Sequence, residues 1–524
     1  MSRAVVIGAG IAGLAAAALL RREGHQVTVI EQRGVVGGRA GLWEHDGFRF
    51  DTGPSWYLMP EVFDHFFRLL GTTAARELDL HRLEPGYRVF FEDEPEPIDV
   101  AAGRDENIRL FEQIEPGAGR QLRRYLDSAH DAYRMALDTF LYTTFAAYRP
   151  LVTGRVLRRA GTLARLLTQP LDRFAARSFT DRRLRQILGY PAVFLGSDPH
   201  RTPSLYHLMS HLDLDDGVWY PAGGINQAID AIARLAADGG AQIRTSTRAV
   251  AITTSAATHR ARVTGVTVVD GSGICTTIPA DIVISAADLH HTETTLLPPG
   301  LRTYPEKWWH PRSAGPGAVL AYLGIAGDLP RLAHHNLFFT RDWSKNFDAI
   351  FAKPTRIPHP ASAYVCRPSA SDRTVAPVGH ENLFILVPVP ANPGIGCGGD
   401  NRGGTGEVES VVDAAIAQIA TWAHVPDLAD RIVLRRTVGP GDFAAEFNSW
   451  RGGALGPAHT LRQSAMFRAS NASVKVDGLL YAGGSTIPGI GLPMCLISAE
   501  LVIKRLRGNT DTRPLEEPLS AGAS

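Results

Sequence analysis

The residues best placed to do chemistry stand at the start of the chain. Gly8-Ala9-Gly10-Ile11-Ala12-Gly13 follows the apolar run Val5-Val6-Ile7 and opens a helical stretch, Ala12–Arg22, that Gly24 stops. A second, alternating run, Gln26–Glu31, ends on an acid 18 residues beyond Gly13. In this strand–turn–helix–strand setting each residue has a task. Gly8 makes the tight turn, and Gly10 lets the backbone approach a pyrophosphate. Gly13 lets helix and strand pack closely, and the helix N-terminus offers free N–H groups to the anion. A carboxylate at Glu31 would accept hydrogen bonds from ribose hydroxyls. A second cluster follows: Gly37-Gly38-Arg39, then Asp51-Thr52-Gly53-Pro54-Ser55. Its glycines and guanidinium suit a second phosphate contact, which a simple nicotinamide site does not need.

Other spacings promise less. Gly394-Ile395-Gly396-Cys397-Gly398-Gly399 also fits GxGxxG, but Pro388, Pro390 and Pro393 interrupt its approach and Asp400–Gly406 keeps it from entering a helix. It reads as a flexible loop. His207 and His211 are four apart, as in a zinc helix, yet no glutamate follows His207 and no third ligand is evident. Cys275, Cys366, Cys397 and Cys495 form no CxxC pair, so no metal is expected and a reducing cytoplasm is the default. Trp308-Trp309 reads as core packing.

The 524 residues allow several domains, and a formal net charge of +1 with 44% hydrophobic residues describes a globular chain. That balance argues against disorder and against a basic nucleic-acid binder. Two uncharged stretches, Ala4–Leu20 and Gly478–Ala499, carry glycines, and the second carries Pro488 and Pro493, which argue against membrane spans. An export signal is not expected at the start.

The α/β pattern falls in three separated blocks. The second has a helix, Ile225–Ala237, and strands at Ala249–Thr254, Val263–Val269 and Ile282–Ser285; the third is strand, loop and helix from Leu479 to Leu506. Three strands or fewer per block cannot bury both faces of a parallel sheet, so one domain assembled from residues 1–60, 217–295 and 470–510 is expected. The rest, 61–216 and 296–469, forms a second discontinuous domain, its first part helical. Between Leu141 and Thr180 there are seven arginines (149, 155, 158, 159, 165, 173, 177) and one acid, Asp172. Val152, Val156, Ala160, Leu163 and Leu167 recur at helical spacing, a basic amphipathic insert suited to an anionic membrane surface.

These residues resemble a family. The glycine turn with Glu31, Gly37-Gly38-Arg39 and Phe50–Ser55 look like the FAD-dependent amine-oxidase and phytoene-desaturase superfamily. Further matches are Gly217–Gly224, Leu383–Pro390 (LFILVPVP), Ser464–Arg468 and Leu480–Pro493, the last being most specific. They point to a bacterial-type phytoene desaturase or close carotenoid desaturase. The resemblance implies an α/β fold: a Rossmann-like, glutathione-reductase-type FAD domain with a discontinuous α+β substrate domain and a helical membrane-docking insert. It implies FAD held by Gly8, Gly10, Gly13, Glu31, Gly38, Arg39, Gly53, Pro54, Ser55, Val250, Gly484, Ser485, Gly491, Leu492 and Pro493. A carotenoid would be desaturated by hydride transfer to the flavin, with a quinone or oxygen as final acceptor and peripheral attachment to the cytoplasmic membrane. Arg158 falls near the family's tunnel-region arginine. One departure stands out: the signature often reads Ala-Gly-Thr-His-Pro-Gly, and here Ile487 takes the histidine's place. Other readings on the same fold are an amine or protoporphyrinogen oxidase, or a non-enzymatic isoprenoid escort protein.

Overall fold

The structure, a computed structural model, describes residues 1–147, 150, 154, 158–256 and 260–520. Its first layer is a five-stranded parallel sheet in the order Leu479–Tyr481, Ile282–Ser285, Arg3–Ile7, Gln26–Ile30 and Gln242–Arg244. The strand from the first residues is central, and its neighbours come from all three α/β blocks. The reason is burial. Val5 and Val6 are covered on opposite faces, and only strands from elsewhere in the chain can complete such a sheet.

One face carries the helices Ile11–Arg22, Asn226–Asp238 and Leu492–Leu506, which pack on one another. Ten consecutive residues of the first, Ile11 to Leu20, are buried, so this helix is apolar all round and is held by packing on every side. The other face is covered by the strands Thr247–Ser255, Ala261–Asp270 and Cys275–Pro279, with Leu289, Trp309 and Tyr481 beneath. Trp309 is core, its Nε1–H donating to Tyr304 O at 2.9 Å.

A second sheet of seven strands has the order Ile432–Val438, Gly317–Ala326, His380–Val389, Ala363–Cys366, His335–Phe339, Tyr87–Phe91 and Ile98–Val100. The last two arise inside the stretch expected to be helical. Alternation in Tyr87–Phe91 and pairing with His335–Phe339 override the helical neighbours. The LFILVPVP stretch is a central strand, paired on both sides. Helices Ala118–Met135 and Arg182–Gly189 close over one face of this sheet, sharing a core with Leu320, Leu337 and Phe384.

The second GxGxxG is not a flexible loop but a packed one. A Cβ on Gly398 would fall 2.0 Å from Thr437 O, so these glycines let the loop lie against the Ile432–Val438 strand. Of the basic insert, Arg149, Val152, Arg155 and Val156 lie outside the described residues. Among the described ones, no helix is long and apolar enough to cross a membrane.

Candidate flavin and substrate cavity

One cavity of about 550 Å³ runs between the two sheets. Its first end is made by the backbone. After Ile7 the chain turns at Gly8, whose φ of +98° favours glycine, and whose N–H donates to Ile30 O at 2.8 Å. A Cβ on Gly13 would lie 1.9 Å from Gly8 O, so only glycine lets the helix start this close to the strand. A Cβ on Gly10 would instead meet nothing nearer than 3.9 Å; the space beside Gly10 belongs to the cavity. The helix begun there has no side-chain cap. The same holds for Leu492–Leu506, whose N-cap Gly491 sits at φ +121°. Two helix starts, each with unpaired N–H groups and a partial positive charge, therefore open on one cavity.

Side chains complete this end. Glu31 is buried, its Oε2 accepting the Ala9 N–H at 2.8 Å and its Oε1 the Arg33 N–H at 2.9 Å. Each oxygen keeps a lone pair for a ligand hydroxyl. Gly37 N–H donates to Ala9 O, which lays the Gly37-Gly38 turn against the first. Arg39 borders the cavity, donates from Nη2 to Ser449 Oγ at 2.8 Å, and has a buried Nε with no partner. Among the described residues no carboxylate is in ion-pair distance, and burial lowers its pKa, a site built to receive an anion. A Cβ on Gly53 would lie 2.4 Å from Arg39 O, so Thr52–Ser55 passes directly beneath this arginine. Asp51, by contrast, caps a helix: its carboxylate accepts from Ile225 N–H and Asn226 N–H at 2.8 and 2.9 Å. Burial pushes its pKa up to about 6.

Most expected contacts border this cavity: Gly8, Gly10, Glu31, Gly38, Arg39, Gly53, Pro54, Ser55, Gly484, Gly491, Leu492 and Pro493. Gly13 acts through packing. Ser485 is half-buried beside Gly456 and does not line the cavity. Val250 does not either. The register of its strand skips from Ala249 to Ala251, leaving Val250 unpaired, and Thr247 and Ala249 take the cavity side. Arg158 is exposed and stands away from the cavity. The helical wall comes instead from Tyr133, Ala136 and Leu141, where Ala118–Met135 runs on into a π-helical turn, Ala136–Leu141.

The second end is walled by side chains. Leu320, Leu337, Phe339, Leu386 and Pro388 project from the seven-stranded sheet, facing Val193, Phe194, Leu208 and Leu212 from the helices. Sequence reasoning missed the polar groups among them. Ser55 Oγ, Tyr364 Oη and His335 Nδ1 form a chain with spacings of 2.6 and 2.7 Å. His335, His334 and Cys366 are a buried group of three, and burial drives the Cys366 thiol up to about 12. His459 lies against the Pro488 loop, its Nε2 3.3 Å from Ile490 N and its Nδ1 3.1 Å from Tyr206 Oη. An imidazole thus reaches the loop where Ile487 lacks one, from a segment 28 residues earlier. His207 is a satisfied core histidine, bonded to Ser204 O and Ser128 Oγ; His211 faces Asp215 and His130.

A parallel sheet with a glycine turn, an acid on the next strand, an arginine that no carboxylate pairs with among the described residues and a second helix start defines a dinucleotide-dependent oxidoreductase site opening on an apolar chamber. The comparisons carry this further. The profile of the family described as flavin containing amine oxidoreductase matches residues 11–321. A carotenoid 3,4-desaturase of Haloarcula japonica is 40% identical over 94% of this chain and 96% of its own. A zeta-carotene-forming phytoene desaturase of Myxococcus xanthus is 35% identical over 96% and 93%. In structure, an oxidoreductase from Methanosarcina mazei shares the fold, with TM-score 0.58 and 16% identity, over 96% of this chain and all of its own. The chain belongs to the flavin containing amine oxidoreductase family, and its cofactor is FAD.

Proposed function

We propose that this protein is an FAD-dependent carotenoid desaturase. The observation that carries the reading is the continuity of one cavity from a cradle suited to a dinucleotide into a long apolar chamber, in a chain 40% identical to a carotenoid 3,4-desaturase. At the first end Gly8, Gly10 and the Ile11 helix start would hold the pyrophosphate, Glu31 the ribose and Arg39 a further negative charge. The Gly491 helix start and the Gly53–Ser55 loop would border the flavin ring. When bound, FAD supplies a hydride acceptor for an allylic carbon of the substrate. The protein's part is to orient the polyene between Leu320, Leu386 and Phe339 and the helical wall, and to exclude water. Its apolar walls suit a long isoprenoid and offer a small polar amine few partners.

The substrate dissolves in lipid, and the surface offers a way to reach it. Met466 and Phe467 are 46% and 56% exposed, with Leu461 nearby in the same short segment. Ser464 of this segment bonds Tyr206, a cavity residue. The helix Ala160–Thr168, carrying exposed Arg165 and Leu167, bonds Ser204 a few residues away. Apolar and basic groups together suit an anionic bilayer, and reoxidation by a quinone or oxygen fits such a location.

The test is expression in cells that accumulate phytoene and, separately, in cells that accumulate later carotenoids. Pigment absorbing at longer wavelength is expected in at least one; unchanged spectra in all would refute desaturation. Vesicles containing phosphatidylserine should retain the purified protein, and Met466→Ser with Phe467→Ser should weaken that retention without loss of flavin colour.

A further inference from the structure

We propose that Tyr364, backed by His335 and flanked by Ser55, accepts the proton the substrate loses as its new double bond forms. This rests on the desaturase reading above. The three residues come from distant parts of the chain. Ser55 follows the strand pair of the dinucleotide end, Tyr364 lies on Ala363–Cys366, and His335 begins the neighbouring strand. The register sets Tyr364 opposite Leu337 and His335 opposite Cys366, so Tyr364 reaches His335 diagonally across the pair. Oγ to Oη is 2.6 Å and Oη to Nδ1 2.7 Å. Ser55 and Tyr364 border the cavity, whereas His335 is fully buried behind them, under the indole of Trp56 at a centroid distance of 4.5 Å.

Packing does not explain this chain. Three apolar residues would bury the same area in this largely apolar wall, avoiding the cost of desolvating a hydroxyl, a phenol and an imidazole. Its location is informative too. Ser55 belongs to the loop that passes under Arg39, so the chain stands where the two ends of the cavity meet. A carbon giving up a hydride must lie at that junction.

The chemistry closes. Loss of hydride, with its electron pair, to the family's FAD leaves an allylic cation, whose neighbouring C–H is strongly acidic. That C–H bond breaks, its electron pair becomes the new π bond, and the proton passes to Tyr364 Oη. The phenol's own hydrogen passes to His335 Nδ1, which accepts in the tautomer carrying hydrogen on Nε2. A weak base suffices against so strong an acid. Burial, with His334 beside it, holds His335 neutral by pushing its pKa far below the ordinary value, and its imidazolium would return the proton from Nδ1 through Tyr364 Oη and Ser55 Oγ to water entering the cavity once product has left. Other polar groups border the cavity, among them Asn346 with Ser362, Asp288 with His291, and Tyr133. His459 is committed at both nitrogens to Ile490 and Tyr206. Tyr190, whose ring packs on Trp56 at a centroid distance of 6.2 Å, has its hydroxyl committed as donor to Asp213 in the helical wall.

The test uses the FAD-loaded enzyme with Tyr364→Phe and, separately, His335→Gln. Both should keep the flavin spectrum. KM should stay within about threefold while kcat falls roughly 10²-fold, a loss typical of a removed base. Substrate deuterated at the carbon that loses the proton should show a larger isotope effect in both variants than in wild type, which a merely structural defect would not produce. Wild-type kcat and isotope effect in either variant would overturn the proposal and leave the desaturase reading standing. A wild-type enzyme that desaturates no carotenoid would overturn both.

Discussion

The two ends of the cavity are built by opposite means. At the dinucleotide end the backbone does the recognising: turns at Gly8, Gly37 and Gly491 with positive φ, and two helix starts with no side-chain cap. Little of that surface has a side chain to change. At the apolar end the sheet and helices are regular, and Leu337, Phe339, Leu386 and Leu208 make the walls. Removing freedom from the backbone should break the first end, whereas changing side-chain volume should only reshape the second.

The largest effect is expected at Gly13. Its Cβ would overlap the Gly8 carbonyl at 1.9 Å, and the obstacle is backbone, not a flexible side chain. Gly13→Ala should cost roughly 3 kcal/mol or more and release the flavin, read as loss of yellow absorbance and a lower unfolding temperature. Retained flavin would break the contrast at its strongest point. Leu208→Trp probes the other end. Leu208 borders the chamber and is only half-buried. The variant should keep the flavin and lose at most about 1.5 kcal/mol, while turnover of the longest carotenoids falls and the product distribution shifts, as chromatography of the pigments would show. Loss of flavin here would mean that the two ends are not separable.

The same contrast decides how much could be read from sequence. Gly8, Gly10, Gly13 and Glu31 are legible because backbone geometry admits one residue type and the elements around them are neighbours in the chain. Four of the five parallel strands were legible and drew on all three blocks, but Gln242–Arg244 was not, and the strands read at Ala249–Thr254 and Val263–Val269 went to a separate antiparallel sheet. The apolar end offered no such handle. Leucines in a chamber wall look like leucines in a core, and Tyr87–Phe91 was hidden among helices. Ser55 and Tyr364 are 309 residues apart, and Tyr364 meets His335 only through strand register. Val250 stands one position from the lining residue Ala249, at a bulge that spacing in the sequence does not show. Arg158 was carried by resemblance alone, and its side chain is exposed.

The effect that shows only as a change with pH tests how each end holds a buried carboxyl. Asp51 accepts from two backbone N–H groups, and burial leaves its pKa at about 6. Asp213, in the helical wall, accepts from the phenols of Tyr87 and Tyr190 at 3.0 and 2.6 Å, and burial carries it to about 7. The unfolded value is about 4. Between those two values the native state holds a proton that the unfolded chain releases, so the stability contributed by Asp213 falls as pH rises through that window. Asp213→Asn has no proton to lose and can still accept from one phenol. Wild type and variant should therefore be closest at pH 5, and the variant should gain on wild type by pH 8, by up to about 1.4 kcal/mol for each pH unit of the window crossed. Denaturant midpoints at the two pH values read the difference. Parallel pH profiles would show that side-chain donors stabilise the ionised form as well as backbone donors do, and would remove this part of the contrast.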